Sequence, residues 1–167
     1  IMVKKRGLPQ PGELVICKIS KINPHSAFAY MEEYGNEGMI HISEVSSGWV
    51  KDIRSYVKQG QTVVAKVVRV ENDQISLSLK RVDKKQENNK IKEYRLNQRA
   101  EKMLQMAAGE MKKTLEKAYD EVGYTLQESF GSLHEGFKIS LQNPNALKER
   151  GISDKWIEHI RAIAEKS

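Results

Sequence analysis

The strongest constraint on the fold is a succession of short strand-like runs between Glu13 and Lys80. In residues 75–79 the apolar side chains alternate strictly with serines, so they share one face of a strand. Thr62–Val70 is rich in β-branched residues, which favour strands. Three further runs complete the set: 14–19, 27–31 and 39–42. Turn-forming sequences separate them: Asn23-Pro24, Tyr34-Gly35-Asn36, Gln59-Gly60 and Glu71-Asn72-Asp73. Five short strands predict a small closed β-barrel rather than a large sandwich.

After Val82 the pattern becomes helical. Residues 83–90 are polar throughout and form either a linker or the exposed first turns of a helix. Apolar residues then recur at spacings of three and four: Leu96, Ala100, Met103, Ala107, Met111, Leu115, Ala118 and Val122. We expect breaks at Gly109 and Asn143-Pro144, a capping box at 125–128, and a last helix capped by Ser153. The sequence thus predicts two domains, β then α: a five-stranded barrel in residues 1–84 and a small all-α domain in residues 85–167.

The positive charge is concentrated in the barrel half. The chain of 167 residues has a net charge of +6. Residues 1–85 carry 14 basic and 9 acidic side chains, whereas residues 86–167 carry 14 and 13. A basic first half favours a partner that carries phosphate, although a charge that only keeps the protein in solution explains the composition equally well.

Several classes of function are excluded by what the chain lacks. Its single cysteine, Cys17, rules out a disulfide framework and a cysteine-rich zinc site. The four histidines show no metal-ligand or catalytic spacing, and no G-x-x-x-x-G-K-[ST] loop is present. Lys66 and Arg69 interrupt the longest apolar stretch, and residues 1–6 lack the apolar core of a secretory signal. We therefore expect a cytoplasmic binding protein with no catalytic residues, bound metal or cofactor, and no membrane contact.

The string Glu37-Gly38-Met39-Ile40-His41-Ile42-Ser43-Glu44-Val45 is the most specific in the barrel half. Together with residues 26–30 and 74–80, it resembles the S1-type RNA-binding OB domain over residues 11–81. The resemblance implies that the second and third strands expose rings on which bases stack, while Lys and Arg side chains bind phosphate. It assigns these contacts to Phe28 and His41, and Tyr30 shares the face of Phe28. A place in the barrel core remains open for Phe28, as does a hydrogen-bonded structural role for His41.

Further RNA-binding candidates surround these rings. His25 is a candidate at a position where many S1 domains have an aromatic residue, and Gln74 stands where many have arginine. Lys18, Lys66 and Arg69 are candidate phosphate partners. Lys51, Arg54 and Lys58 form either a basic loop that faces RNA or an ordinary solvated loop. Ser46, Ser47 and Ser55 are candidates for modification. Trp49 is either an exposed stacking ring or a lid on the barrel, and the lid is expected.

Both halves together resemble the alpha subunits of translation initiation factor 2, of the archaeal type. The strings Pro11–Ile16, Ala27–Tyr34, Gly38–Glu44 and Ile75–Ser78 carry this resemblance. It implies the RNA-binding part of a GTP-dependent, three-subunit complex that delivers methionylated initiator tRNA to the small ribosomal subunit. The implied partners are the beta and gamma subunits, initiator tRNA, the small ribosomal subunit and mRNA. The family contacts gamma through a C-terminal α+β domain that this sequence lacks, so we expect a two-domain fragment.

One loop departs from the eukaryotic members of that family. Counted without gaps from Gly38, their regulated serine falls on Asp52, and their arginine run falls on residues 47–49. Residues 73–76 replace their Gly-Tyr-Ile-Asp docking string. A eukaryote-like kinase switch is therefore not expected. The alternatives are a protein-interaction scaffold, docking to the ribosome or a kinase with little intrinsic RNA affinity, and an accessory domain of a ribonuclease.

Overall fold

A computed structural model describes residues 4–167. The prediction that residues 1–6 lack a secretory signal falls partly on residues 1–3, which lie outside the described residues. The chain divides between Tyr94 and Arg95 into a barrel unit and a helical unit. This division falls inside helix α1, Lys84–Glu110, ten residues after the domain boundary expected between residues 84 and 85.

The barrel unit is a closed five-stranded barrel with the strand order β1-β2-β3-β5-β4. Its strands are β1 (Leu14–Ile22), β2 (Ser26–Met31), β3 (Asn36–His41), β4 (Thr62–Glu71) and β5 (Gln74–Ser78). All neighbouring pairs are antiparallel except β3 and β5. The β3–β4 loop contains two 3₁₀ turns, Ile42–Glu44 and Ile53–Ser55. The predicted five-stranded barrel is confirmed.

Strand alternation fills the barrel interior with small and branched side chains. Alternate residues of each strand are buried in one cluster, among them Val15, Ala29, Ile40 and Leu77. Gly38 belongs to the same inner surface, and a Cβ atom there would lie 2.7 Å from Leu77 Cδ1. The neighbouring residues of β2 and β3 consequently point outward.

A buried ionic cluster holds the turn between β2 and β3. Glu33 follows β2, and its carboxylate lies 3.0 Å from Lys90 Nζ of α1 and 3.3 Å from Lys5 Nζ. The side chains of Glu33 and Lys90 are almost fully buried. Tyr34 donates a hydrogen bond to Glu13, and burial together with this bond raises the pKa of the Tyr34 hydroxyl. Burial also raises the pKa of the Cys17 thiol to about 12, so Cys17 is inert core rather than a reactive group.

The helical unit contains the remainder of α1 and the helices α2 (Leu115–Ala118), α3 (Tyr124–Phe130), α4 (Leu133–Gln142), α5 (Pro144–Glu149) and α6 (Asp154–Glu165). A π-helical turn, Tyr119–Gly123, joins α2 to α3. The core is built from buried leucines and isoleucines. Trp156 is buried and donates its indole N–H to Glu121 over 2.9 Å. Lys113 bonds the same carboxylate, and these two hydrogen bonds lower the pKa of Glu121.

The helix signals in the sequence were partly right. Residues 84–90 are the first turns of α1, Pro144 begins α5, and the Ser153 hydroxyl accepts from Trp156 N over 3.3 Å. The predicted capping box at 125–128 is wrong, because Thr125 lies inside α3, whose N-cap is Gly123. The cap that begins this helical segment is Thr114, whose hydroxyl accepts from Lys117 N.

Residues 4–167 show neither a metal-binding cluster nor a membrane-spanning helix. They contain no group of His, Cys, Asp and Glu residues arranged to hold a metal ion. None of their helices is both long enough and apolar enough to cross a membrane.

Candidate nucleic-acid interface

A continuous row of paired residues crosses the outer surface of all five strands. Lys21 of β1 pairs with Phe28 of β2, which pairs with Met39 of β3. Met39 pairs with Ser76 of β5, which pairs with Arg69 of β4. We call these five residues the outer band. Barrel strands are tilted by about 35–45° to the barrel axis, so the band winds obliquely around the barrel.

The outer band has an apolar centre and a cation at each end. Phe28 is half-buried, between the core residues Ala27 and Ala29, and therefore lies on the outer surface rather than in the core. Met39 is 37% exposed. Among residues 4–167, neither Lys21 nor Arg69 takes part in an ion pair, so both ammonium and guanidinium groups are available to an anion.

Two register shifts place these cations. The β1–β2 register shifts between Ile19 and Lys21, so Lys21 rather than Ser20 faces Phe28. The β4–β5 register shifts between Val67 and Arg69, so Arg69 rather than Val68 faces Ser76. Such bulges redirect side chains next to functional surfaces. Arg69 was predicted from the sequence, whereas Lys21 was not, since an inserted residue leaves no mark in the alternation of apolar and polar residues. Met39 was also not predicted, although it shares the outward face of β3 with His41.

A second outward row lies beside the band. Lys18 pairs with Tyr30, and Tyr30 pairs with Glu37. Tyr30 is half-buried on the face of Phe28, whereas Lys18 and Glu37 are exposed. Ser20 donates to the Glu37 carboxylate over 2.6 Å. The carboxylate of Glu37 opposes phosphate at this point, so the favourable anion positions are at Lys18 and at the ends of the band.

The two candidate histidines lie together near the first residue of β2. His41 pairs with Ser26, the residue after His25, and the His25 carbonyl accepts from Ile42 N over 2.8 Å. His41 Nδ1 accepts from Ser43 N over 3.1 Å and so caps the first 3₁₀ turn. A neutral His41 ring therefore carries its proton on Nε2. His41 thus has the structural hydrogen bond considered above, yet its ring remains exposed.

The other basic candidates lie apart from the band. Lys66 pairs with Leu14 and with buried Ser78, a row that contains no aromatic candidate. Lys51, Arg54 and Lys58 are exposed in the β3–β4 loop, where Arg54 lies 3.9 Å from Asp52. Of the candidate serines, Ser47 and Ser55 are exposed, whereas the partly buried Ser46 accepts from Gly48 N.

Trp49 does not cover the barrel. Its side chain is 83% exposed, so the expected lid is wrong. The side chains of this loop that pack into the barrel core are instead Val45, Ile53 and Val57, all of which are buried there.

Glu44 fixes the base of the loop against the end of β5. Its carbonyl accepts from Leu79 N and Lys80 N over 2.9 and 3.0 Å. Its carboxylate accepts from Arg81 Nε over 3.0 Å, and this hydrogen bond lowers the pKa of Glu44. The beginning of the β3–β4 loop is therefore held against the residues that follow β5.

The chain resembles known proteins over nearly its whole length. Residues 8–81 match the family model of the S1 RNA binding domain. Residues 118–167 match that of the eukaryotic translation initiation factor 2 alpha subunit. The chain is 45% identical over 166 residues to translation initiation factor 2 subunit alpha of Methanopyrus kandleri, covering 96% of this chain and 62% of that protein. Such relatives are named as initiation factor subunits rather than as enzymes.

Two solved structures from Pyrococcus share the whole fold. One is a chain of the a/eIF2alpha–aDim2p–rRNA complex of Pyrococcus horikoshii OT3, with a TM-score of 0.91 and 38% identity over 96% of this chain and 97% of that one. The other is the intact alpha subunit of aIF2 from Pyrococcus abyssi, with a TM-score of 0.85 and 38% identity, covering 96% of this chain and 63% of that one. The chain spans 60–64% of the length of curated relatives that it matches.

Proposed function

The chain belongs to the family of translation initiation factor 2 alpha subunits, and on that premise we propose that its barrel is an RNA-binding surface of the initiation factor. In this role it is part of a GTP-dependent, three-subunit complex that delivers methionylated initiator tRNA to the small ribosomal subunit in the cytoplasm. Its proposed partners are the beta and gamma subunits, initiator tRNA, the small ribosomal subunit and mRNA. The chain acts as a binding module and performs no chemical step.

The outer band is the observation that carries this proposal. An unpaired base can stack on Phe28, with Met39 beside it, while Lys21 and Arg69 contact phosphates on either side. Tyr30, His41, His25 and Lys18 enlarge the surface. Stacking on an aromatic ring accepts any base, and phosphate contacts carry no sequence information, so the barrel alone should bind RNA with little sequence preference. The rRNA in the complex of the Pyrococcus horikoshii neighbour supports an RNA partner.

A fluorescence-anisotropy titration tests the proposal. The protein is titrated with initiator tRNA and with an unstructured oligouridylate of about ten nucleotides, within the usual site size of an OB fold, at two salt concentrations. Both affinities should fall as salt rises, because neutralised phosphates release their counterions. Failure to bind either RNA at low salt would contradict the proposal and favour a protein-interaction scaffold.

Arg69→Gln tests whether a cation of the band meets a phosphate. We expect a weaker affinity for oligouridylate and a slope of log K against log salt that is shallower by about 0.7, the value for one phosphate contact on a single strand. Lys155→Gln is the matched control, because Lys155 is an exposed cation of the helical unit without an ion pair among residues 4–167. An unchanged slope in Arg69→Gln would remove this residue from the interface.

A further inference from the structure

Trp49 is an exposed ring that the outer band does not include. At 83% it is the most exposed large apolar side chain of residues 4–167, and Tyr56, farther along the same loop, is 46% exposed. A tryptophan buries about 150–250 Å² when a partner covers it. Exposed tryptophans are accordingly frequent anchors of interaction sites.

The loop presents Trp49 from a well-anchored backbone. Val45 on one side of it and Ile53 and Val57 on the other are buried in the barrel core. Ser46 Oγ accepts from Gly48 N directly before Trp49, and Asp52 Oδ1 accepts from Arg54 N shortly after it. Because the loop is already ordered, binding at Trp49 requires little further loss of conformational entropy.

The charge of the loop indicates a polyanionic partner. Residues 46–61 contain three cations and one acid, Asp52. That acid lies 3.9 Å from Arg54, whereas Lys51 and Lys58 form no ion pair among residues 4–167. A cation next to an exposed aromatic ring is the arrangement that binds unpaired RNA, in which bases stack on rings and phosphates meet lysines.

The loop is also continuous with the band. Gln59 Nε2 donates to the Ser20 carbonyl over 3.2 Å, and Ser20 directly precedes Lys21. At its other end, Ile42 N donates to the His25 carbonyl at the edge of β2. Both ends of the loop therefore adjoin residues of the proposed RNA-binding surface.

We propose that Trp49 is a second base-stacking site, on which an RNA strand bound along the outer band places a further unpaired base, with Lys51 and Lys58 contacting phosphates. This inference rests on the proposed RNA-binding function and extends the contact from the strands to the β3–β4 loop. The β3–β4 loop thereby lengthens the segment of single strand that the barrel holds.

Tryptophan fluorescence tests the inference directly, because the second tryptophan, Trp156, is 2% exposed and belongs to the helical unit. Unlabelled oligouridylate and oligoadenylate should quench the emission, with saturation at the concentrations that saturate the anisotropy signal. In Trp49→Phe, binding should persist while the quenching disappears. Trp49→Ala should weaken binding by about 5- to 150-fold, the equivalent of one stacked base.

Met106→Ala in the helical unit is the matched control, since Met106 is 58% exposed and its loss should leave the affinity unchanged. If RNA binds with unchanged anisotropy in Trp49→Ala and without quenching in the wild type, the second site is overturned while the RNA-binding function stands. If neither oligonucleotide nor initiator tRNA binds at low salt, both the inference and the proposed function fail.

Discussion

Lys90→Ala should lower the free energy of unfolding of the barrel unit by about 3 kcal/mol. The variant leaves the Glu33 carboxylate, 1% exposed, without the ammonium group that lies 3.0 Å away. Removing one partner of a buried ion pair typically costs about 3–5 kcal/mol, because the remaining charge is buried and uncompensated. We expect the lower end of that range, since Lys5 still lies 3.3 Å from Glu33. Hydrogen exchange of β1 and β3 amides measures the change, with α6 amides as an internal reference.

Lys92→Ala is the control for this prediction, because Lys92 is an exposed lysine of the same helix with no ion pair among the described residues. Adding Glu33→Gln to Lys90→Ala should restore most of the lost stability, since no buried carboxylate then remains uncompensated and the partly exposed Lys5 keeps Glu13 at 3.8 Å. Equal protection in Lys90→Ala and Lys92→Ala would show that the buried pair does not stabilise the barrel.

Phe28→Ala should weaken oligouridylate binding by about 5- to 150-fold, which corresponds to the loss of about 1–3 kcal/mol for one stacked base. Phe28→Tyr should retain nearly full affinity because it keeps the ring. Phe28→Leu should behave like Phe28→Ala, since it keeps an apolar side chain but not the aromatic face. Anisotropy titrations at one fixed salt concentration measure the three affinities.

Phe130→Ala provides a matched truncation, because Phe130 is a half-buried phenylalanine of the helical unit. Its affinity for RNA should equal that of the wild type. A barrel that is destabilised by Phe28→Ala would confuse the comparison, so protection of the β2 amides must be measured in the same variant. If Phe28→Leu bound RNA as tightly as the wild type, the contact would require only an apolar side chain, and stacking on the ring would be ruled out.

The strands of this chain were predictable because their signal is local. Alternation in residues 75–79 and β-branching in 62–70 directly encode two-sided strands, and Gly or Asn residues mark the turns between them. Ser153 was equally predictable, since its hydroxyl caps the helix that follows it. The capping box predicted at Thr125 was wrong because the spacing to Glu128 only imitates one. The helical segment begins after Thr114 and continues through a π turn.

The candidate RNA-binding surface was only partly predictable. The family pattern and strand alternation were enough to select Phe28, Tyr30 and His41 as outward-facing candidates. Lys21 was not predictable, because the register shift that places it opposite Phe28 has no local sequence signal. Met39 alternates with the buried Gly38 and Ile40 of β3, so its outward position could have been predicted from the same alternation that identified His41. The exposure of Trp49 was not predictable, because it depends on which residues of its loop pack into the barrel core. Val45, Ile53 and Val57 do so, whereas the general tendency of large aromatic rings to be buried would have selected Trp49.

Binding of RNA along the outer band can be tested directly by amide chemical-shift mapping during an oligouridylate titration. We expect the largest shifts at Lys21, Phe28, Met39 and Ser76, with the amides of α4 and α6 unchanged. Shifts confined to the helical unit, or to the row of Leu14 and Lys66, would contradict it.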